Sequence, residues 1–518
     1  MKKEAQTSYL SFKSGEEWRN WHKTEGIGGN VQRLYTPHNF WTGKLGTKTF
    51  HGLPGLAALQ HIVQEAEKNE KRVRAVGSGW SMSSAAFTDE YLVNTARLNN
   101  WFIGFQTPAM LEEPYKGRRN RIVFAQCGVQ IKTLNTHLEQ RGFALPTSGA
   151  SNGQTIVGAT STGTHGSNLK VGAMQDFLLG IHIVAESGKH YWIQRASAPA
   201  VTQQFCDWLG AEQKRDDDLF KAAIVGIGSF GLVHAVLFEA SPIYFLDRFV
   251  HQHDFRVVQN AISTLNINDL GLPEADEFPS HFEVVLNPYC LDRGEGGAFV
   301  RVYYKREVAK SLPIPTLQNS DILLSEDLVS AAGRLFDAQP DFIPGLLMKF
   351  LKEDVKPTEG KCIRGTLGQQ FSDSSPTGGG TSVEIGVPLK SAGSALDAIL
   401  EVTGTYPFPA PLAFRYVKAS EAFLAFTCFP DITCTIEIPG PNSERSRDAH
   451  QRIFKALRER DIPHTFHWGQ SLPLDPDWVC LGFGKERVNN WLAARSNFLS
   501  PKGRYLFANS LIDTIGLA

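Results

Sequence analysis

The chain has 518 residues, of which 42% are hydrophobic and 20% are charged, so it can form two or more folding units with a large core. The formal net charge of -1, without a dense run of lysine or arginine, argues against nucleic acid or an anionic membrane surface as a partner. No apolar run is long enough to span a bilayer, and the seven scattered cysteines include no CxxC pair. We expect a reduced, cytoplasmic protein without a secretory signal or a metal site, whose oligomeric state stays open.

The first 242 residues predict alternating helices and strands. Apolar residues at helical spacing predict helices over 53–71, 130–142 and 216–225, and β-forming runs predict strands over 71–76, 121–129 and 232–240. Residues 180–194 (GIHIVAESGKHYWIQ) predict a hairpin, because alternating apolar residues flank the turn formers Ser187 and Gly188.

A glycine-rich turn, AVGSGWS over 75–81, follows the first predicted strand. Glycine permits close approaches, and successive N–H groups in such a turn can form a concave nest for an anion such as phosphate. A tight surface turn is the alternative for so short a motif.

A second segment, 148–167, contains five glycines and many hydroxyl side chains but one ionisable residue, His165. Its composition predicts a long loop that lies against a ligand and offers it N–H and hydroxyl groups. A flexible surface loop is the alternative.

A formal GxGxxG motif occupies Gly226 to Gly231. The nicotinamide fingerprint needs a strand before the glycines and a helix after them, whereas here the predicted order is reversed. These glycines therefore indicate close packing or approach to a ligand, and not nicotinamide binding.

The middle of the chain is typical of a mixed α+β unit. Strands are predicted over 281–289, 297–306, 381–390, 411–419, 422–429 and 433–440, with Pro/Gly/Ser-rich loops at 311–320 and 371–382. Residues 487–518 return to a helix–turn–helix pattern.

Six segments carry a resemblance to a known family: WRNW (18–21), RAVGSGWS (74–81), residues 128–149, QTIVGATSTGTHGS (154–167), GIGSFGLV (226–233) and SPKGRYLFANSL (500–511). Together they resemble the vanillyl-alcohol oxidase / p-cresol methylhydroxylase superfamily, and more narrowly its branch of alditol and aldonolactone (gulonolactone and arabinonolactone) oxidases. TGTHGS is the most specific of these motifs.

The resemblance implies a two-domain α+β fold with FAD as cofactor. A split FAD-binding domain would comprise residues 1–242 and 471–518, and an α+β substrate cap would comprise residues 243–470. The FAD-binding residues that it implies are Val76, Gly77, Ser78, Gly79, Trp80, Ser81, Ser148, Gly158, Ser161, Thr162, Gly163, Thr164, His165, Gly166, Ser167, Gly226, Gly228, Gly231, Val233 and Asn509.

Trp80 departs from the family pattern. Many members carry at this position a histidine that bonds covalently to the flavin, and the indole cannot make that bond. The other attachment in the superfamily is a cysteine in the second loop, and residues 146–167 contain none. We therefore predict that FAD is bound non-covalently.

The cap also departs from the alditol oxidase branch, in which a Glu-x-Arg and the lysine of an HWGK motif act at the substrate. The corresponding segments read Ala413-Phe-Arg415 and His467-Trp-Gly-Gln470, so Arg415 is kept and two charged groups are lost. This argues against a polyol or aldonolactone substrate. The candidate catalytic residues are Arg415, Glu384, Glu437, His467 and Gln470, and the candidates for the general base are Glu384, Glu437 and His467.

These observations predict an FAD-dependent oxidase that takes a hydride from a C–H bond next to oxygen or nitrogen of a small organic substrate, with O2 as acceptor and H2O2 as product. A tailoring enzyme of secondary metabolism is a setting that fits altered cap residues. The alternatives are a dehydrogenase that passes electrons to a carrier, and a degenerate flavin-binding protein without catalysis.

Overall fold

The structure is a computed structural model that describes residues 9–39, 54–274, 277–308, 337–372 and 378–518. A mixed four-stranded sheet opens the chain in the order β1-β2-β4-β3. Its strands are β1 (Leu10–Arg19), β2 (Gly28–Pro37), β3 (Val73–Val76) and β4 (Tyr91–Asn94). Strands β2, β3 and β4 are parallel, so the chain leaves β3 and β4 at the same edge of the sheet.

A six-stranded sheet follows in the order β10-β9-β8-β11-β6-β5. Its strands are β5 (Trp101–Ile103), β6 (Ile122–Gln126), β8 (Leu178–Val184), β9 (His190–Gln194), β10 (Glu212–Arg215) and β11 (Leu232–Glu239), while β7 (Phe143–Ala144) pairs with β12 (Ser241–Pro242). The predicted hairpin is confirmed, since β8 and β9 are antiparallel and Ser187 and Gly188 both have positive φ.

Five helices accompany these sheets: α1 (Pro54–Lys68), α2 (Ile131–Glu139), α3 (Ile156–Thr162), α4 (Gln203–Leu209) and α5 (Asp217–Ala223). Three of them confirm the helices predicted over 53–71, 130–142 and 216–225. Helix α5 precedes the GxGxxG motif and β11 follows it, so the reversed order predicted for that motif is also confirmed.

An antiparallel eight-stranded sheet forms the middle of the chain, in the order β16-β13-β15-β14-β18-β19-β17-β20. Its strands are β13 (Tyr244–His253), β14 (His281–Leu286), β15 (Ala298–Glu307), β16 (Ile363–Thr366), β17 (Gly380–Pro388), β18 (Leu412–Lys418), β19 (Ile432–Pro441) and β20 (Thr465–Phe466). Its helices are α6 (Phe255–Thr264), α7 (Ile343–Asp354), α8 (Leu367–Gln370), α9 (Ala392–Thr405) and α10 (Glu444–Glu459).

The prediction of a strand over 422–429 is wrong. This apolar segment is buried but forms turns, because side chains satisfy its carbonyl groups instead of a neighbouring strand. The guanidinium of Arg487 donates to the carbonyls of Ala422 and Phe423, and the indole of Trp468 donates to that of Leu424. The predicted loop at 311–320 and part of that at 371–382 lie outside the described residues.

Four helices close the chain: α11 (Pro476–Phe483), α12 (Lys485–Phe498), α13 (Pro501–Leu506) and α14 (Ser510–Thr514). The last three confirm the helical tail predicted over 487–518, and α11 precedes it. They pack against the first part of the chain. Leu506 and Phe507 share an apolar cluster with α1, and Asp513 forms an ion pair with Arg72 at 2.6 Å. The division into units at 242 and 470 stays a prediction.

A row of polar side chains, here called the histidine row, crosses four neighbouring strands of the six-stranded sheet. His234 lies 3.0 Å from the Gln126 amide and 2.9 Å from His182, which lies 2.9 Å from His190. The Gln126 oxygen accepts the N–H of Asn100, so its nitrogen donates to His234, His234 donates to His182, and His182 donates to His190. Burial lowers the pKa of His234 to about 3 and that of His182 well below its ordinary value, so both rings are neutral.

Candidate active site

The glycine turn after β3 lies at the edge of the first sheet and lines a cleft. Gly79 has a φ of +70°, and a Cβ added to Gly77 would lie 2.2 Å from Thr155 Oγ1, so both positions require glycine. Among the described residues, the N–H groups of Ser78 to Ser81 have no protein acceptor. The turn can therefore donate these N–H groups to an anion.

The second segment is not the continuous loop that its composition predicted. Thr155 caps helix α3 by accepting a hydrogen bond from the N–H of Gly158, and Gly163 ends the helix with a φ of +86°. Gly166 approaches the backbone of the same segment, since a Cβ there would lie 2.5 Å from the carbonyl oxygen of Ser148. Part of this ligand-facing segment is thus a short rigid helix.

The third segment, Gly226–Gly231, faces the turn from the other side of the cleft. Gly228 has a φ of +70°, and a Cβ on Gly231 would lie 2.5 Å from the carbonyl oxygen of Val184. This segment is fixed by Arg74, whose guanidinium donates to the carbonyls of Ile227, Gly228, Ala85 and Phe507. Burial, and then the charge of Arg495, lower the pKa of Arg74 to about 9.

Trp80 packs within the cleft wall. Its ring stacks on Trp21 at 5.6 Å between centroids and meets the edge of His22 at 5.6 Å. A Cβ on Gly153 would lie 2.2 Å from the Trp80 ring, so the second segment lies directly against the indole. The Trp80 side chain is therefore part of the wall of the cleft.

The cleft brings together all five predicted catalytic residues and most of the predicted cofactor residues. The cofactor residues that line it are Val76, Gly77, Ser78, Gly79, Trp80, Ser81, Gly158, Ser161, Thr162, Thr164, His165, Gly228, Gly231 and Val233. Six others do not line it: Ser148, Gly163, Gly166, Ser167, Gly226 and Asn509. Asn509 instead donates to the carbonyls of Ser84 and Phe87, which flank Ala85. The Ala85 carbonyl accepts from Arg74.

A buried charge cluster forms the cap side of the cleft. Arg415 lies 2.8 Å from Glu283, 2.6 Å from Glu437 and 3.5 Å from Glu384. Strands β14, β18, β19 and β17 are adjacent, and their register pairs Glu283 with Arg415 and Glu437 with Glu384. Glu437 lies two residues beyond Thr435, the partner of Arg415, and therefore on the same face of the sheet. Burial alone would lower the pKa of Arg415, but the three carboxylates raise it well above its ordinary value. Arg415 is therefore a permanent cation.

His165 connects the second segment to this cluster. Its Nε2 lies 2.8 Å from Glu384 Oε1, and its Nδ1 lies 2.7 Å from the carbonyl oxygen of Gly166. Burial alone would raise the pKa of Glu384, but the charge and hydrogen bond of His165, and then the charge of Arg415, lower it to about 2. Glu384 is therefore ionised throughout the physiological pH range.

The loop His467–Gln470 joins both sides of the cleft. The Gly469 carbonyl accepts the N–H of Met82, and the Trp468 carbonyl accepts the hydroxyl of Ser83, just after the glycine turn. The Gln470 amide nitrogen lies 3.3 Å from Glu384 and 3.4 Å from Glu437.

Several cleft residues were missed by the sequence analysis, among them Arg74, Cys127, Gln154 and, behind Arg415, Glu283. The charge of Glu283 within the apolar strand HFEVVL was a signal that could have found it. Arg74 offered no such signal, because arginine is ordinary on a strand with one exposed face.

The residues of the cleft fit FAD. The glycine turn offers N–H groups for a diphosphate, and the side-chain oxygens of Gln154 and Gln470 are buried with no hydrogen-bond partner among the described residues. These oxygens can accept N–H or O–H groups of a bound molecule. Arg74 adds a positive charge at the cleft, and its guanidinium donates hydrogen bonds to carbonyl groups.

Comparisons with known proteins agree with FAD as the cofactor. Residues 56–194 match a family described as FAD binding domain. An L-gulono-1,4-lactone dehydrogenase of Mycobacterium tuberculosis is 22% identical over 80% of this chain and 84% of its own length. A D-arabinono-1,4-lactone oxidase of Yarrowia lipolytica is 25% identical over 44% of this chain, and the match spans only 38% of that relative.

Among solved structures, a cholesterol oxidase from Brevibacterium sterolicum is similar in fold, with a TM-score of 0.71 and 14% sequence identity over 99% of this chain and 98% of the other. The resemblance to FAD-linked oxidases and the two-domain α+β fold are thereby confirmed. The protein is an FAD-dependent oxidoreductase, with an FAD-binding domain over residues 56–194.

Proposed function

We propose that the protein is an oxidase that removes a hydride from a C–H bond next to oxygen or nitrogen of a small organic substrate. The observation that supports this is the cleft itself, in which the glycine turn, His165 and the charge cluster around Arg415 face one space. Bound FAD would supply the acceptor for the hydride, and the two electrons and two protons removed from the substrate would reach O2 as H2O2.

Glu437 is the proposed base for the proton on the substrate heteroatom. Both oxygens of Glu384 are engaged, Oε1 by His165 and Arg415 and Oε2 by Gln470, and its side chain is 4% exposed. Glu437 also has a partner at each oxygen, Arg415 at Oε2 (2.6 Å) and the Gln470 amide at Oε1 (3.4 Å), but its side chain is 20% exposed. A base needs a lone pair that the substrate can reach, and Glu437 offers the more accessible one.

His467 is proposed as a hydrogen-bond donor and not as the base. The N–H of Gly469 donates to His467 Nδ1 at 2.9 Å, and burial lowers the pKa of His467 to about 4. The neutral ring therefore carries its proton on Nε2, where it can donate to a substrate oxygen. The buried side-chain oxygen of Gln470 can accept an N–H or O–H of the same substrate.

The test uses the purified yellow protein with a panel of small alcohols and amines. An oxidase forms H2O2 in equal amount to the substrate oxidised, without an added acceptor. In E437Q we expect turnover to fall roughly 10²–10⁴-fold, the range for loss of a general base, while FAD stays bound. Glu459→Gln, at an exposed pair on α10, is the matched control and should keep full turnover. A fully active E437Q would refute the assigned base.

FAD is proposed to be bound non-covalently, since Trp80 occupies the attachment position. Acid precipitation of the holoprotein should release FAD into the supernatant. Yellow colour that stays with the pellet would contradict this assignment.

A dehydrogenase is the second candidate. It is favoured by the Mycobacterium relative, whose match spans most of this chain and which is named a dehydrogenase. Reduction of an artificial acceptor without H2O2 formation would identify this activity. A flavin absorbance that no substrate bleaches under anaerobic conditions would instead support a protein that binds flavin without catalysis.

A further inference from the structure

His165 has an acceptor at each ring nitrogen. Its Nδ1 lies 2.7 Å from the Gly166 carbonyl oxygen, which can only accept, and its Nε2 lies 2.8 Å from the Glu384 carboxyl group. A neutral imidazole has one N–H and can satisfy one of these contacts. A second proton must therefore lie either on the ring or on Glu384.

The surroundings of Glu384 decide where this proton lies. Glu384 also faces the guanidinium of Arg415 at 3.5 Å and accepts from the Gln470 amide at 3.3 Å, and both contacts favour the ionised carboxylate. With the proton on the ring, the cations His165, Arg415 and Arg301 balance the carboxylates of Glu283, Glu384 and Glu437. A neutral ring beside ionised Glu384 would leave a carbonyl or carboxylate oxygen facing a ring lone pair.

The position of the His165 ring in the cleft allows its charge to act on a bound molecule. The side chain of His165 is 2% exposed and lines the cleft together with the glycine turn. A buried charge acts over a longer range than one in water, since it is poorly screened. The neighbouring imidazole of His467, 6.4 Å away between ring centroids, is neutral and does not share this role.

We propose that His165 is a permanently protonated imidazolium, held by Glu384, that keeps a fixed positive charge in the flavin cleft and raises the reduction potential of bound FAD. Two-electron reduction increases the negative charge on a flavin, and a nearby fixed cation favours the more negative state. This inference depends on the proposed placement of FAD in the cleft but not on the substrate or on O2 as acceptor. His165 is therefore assigned as a positioning and electrostatic residue and not as the base.

The first test observes the proton directly. The holoprotein is labelled with ¹⁵N in its histidine rings, and its ¹⁵N spectrum is recorded at pH 8. We expect a ring with both nitrogens protonated, absent from H165Q and also absent from E384Q, in which a neutral amide can donate to the ring. A wild-type spectrum with no doubly protonated ring at pH 8 would overturn the proposal without any variant.

The second test measures the reduction potential of bound FAD by equilibration with reference dyes. In H165Q the equilibrium constant for two-electron reduction should fall at least tenfold, which is about 30 mV. His22→Gln is the matched control, because His22 lines the same cleft and burial lowers its pKa to about 4, so its ring is neutral. In H22Q the equilibrium constant for two-electron reduction should stay within threefold of the wild-type value.

An unchanged potential in H165Q, or an equal shift in H22Q, would overturn the proposal. If H165Q does not fold, E384Q and the wild-type spectrum decide the charge state. The outcome is separable from the proposed function, since a protein that oxidises no substrate can still show the protonated ring and the shifted potential.

Discussion

The two sides of the cleft bind by different means. One side, here called the flavin wall, presents backbone N–H groups, glycines and hydroxyls from cleft-lining residues within 76–81, 149–165 and 227–233. The other side, here called the charged wall, presents the ionised side chains of Glu384, Arg415 and Glu437 on adjacent strands, with Glu283 behind Arg415. Added atoms in the flavin wall should therefore weaken FAD binding. Loss of a charge in the charged wall should lower the free energy of unfolding.

The largest effect is expected from Arg415→Met in the charged wall. It leaves three carboxylates without their shared cation, and removal of one partner from a buried ion cluster costs about 3–5 kcal/mol of unfolding free energy. Urea denaturation measures this loss. The exposed pair of Arg19 and Glu17 supplies the control, since Arg19→Met should cost less than about 1 kcal/mol. An equal loss of unfolding free energy in Arg415→Met and Arg19→Met would contradict the expected sensitivity of the charged wall.

A smaller loss of stability, but a direct loss of FAD, is expected from Gly77→Ala in the flavin wall. The new Cβ would lie 2.2 Å from Thr155 Oγ1, which also caps helix α3. Overpacking of this kind costs about 1–3 kcal/mol, and FAD affinity should fall at least tenfold in a fluorescence titration. Gly117→Ala meets no atom within 4 Å and should bind FAD as wild type does. Normal FAD binding by G77A would show that the turn tolerates added atoms.

The two altered sites, the glycine turn and the cluster around Arg415, also differ in how much of each could be predicted from the sequence. Gly77 and Gly79 were predicted because their requirement is local: a turn after a strand, recognisable from a few residues. The cluster around Arg415 depends on the register of four strands from distant parts of the chain, so Glu283 was missed and the roles of Glu384, Glu437 and His467 stayed open. Helix α3 was missed because its glycine- and hydroxyl-rich composition resembles a loop, although Thr155 and Gly163 cap it.

The histidine row adds a third type of polar network, whose rings are neutral. The pKa values of His182 and His234 are lowered by burial in the folded state, while unfolded histidine titrates near 6.5. Below pH 6.5 the unfolded state binds more protons, so stability should fall by about 1.4 kcal/mol per pH unit for each such ring. Thermal denaturation between pH 7.5 and 5 measures this slope. It should be shallower in the double variant H182Q/H234Q, and unchanged in H61Q at the exposed His61.

The smallest effect is expected at Cys127 in the cleft. Burial raises the pKa of its thiol to about 12, and because the residue is only 3% exposed, reagents do not reach this protonated group in the folded protein. Thiol labelling followed by peptide mass analysis should modify the exposed Cys362 in the native protein, and Cys127 only after unfolding. In C127A the release of FAD by acid should be the same as in wild type. If acid leaves the flavin on the wild-type protein but releases it from C127A, Cys127 forms a covalent bond with the flavin. The presence of Trp80 does not exclude such a bond.

No helix among the described residues is both long and apolar enough to cross a membrane. Helix α7 carries the exposed apolar side chains Leu346 and Phe350, and the exposed Phe342 directly precedes it.

The guanidinium of Arg74 has a consequence for biosynthesis. It joins the strand that begins the flavin wall to the carbonyls of Ile227 and Gly228, and to that of Phe507, which is 433 positions further along the chain. Contacts of such large sequence separation form late and slowly, because a long stretch of chain must be ordered first. A nascent chain that ends before residue 507 lacks one carbonyl acceptor of Arg74. Cofactor uptake should therefore follow the synthesis of residue 507.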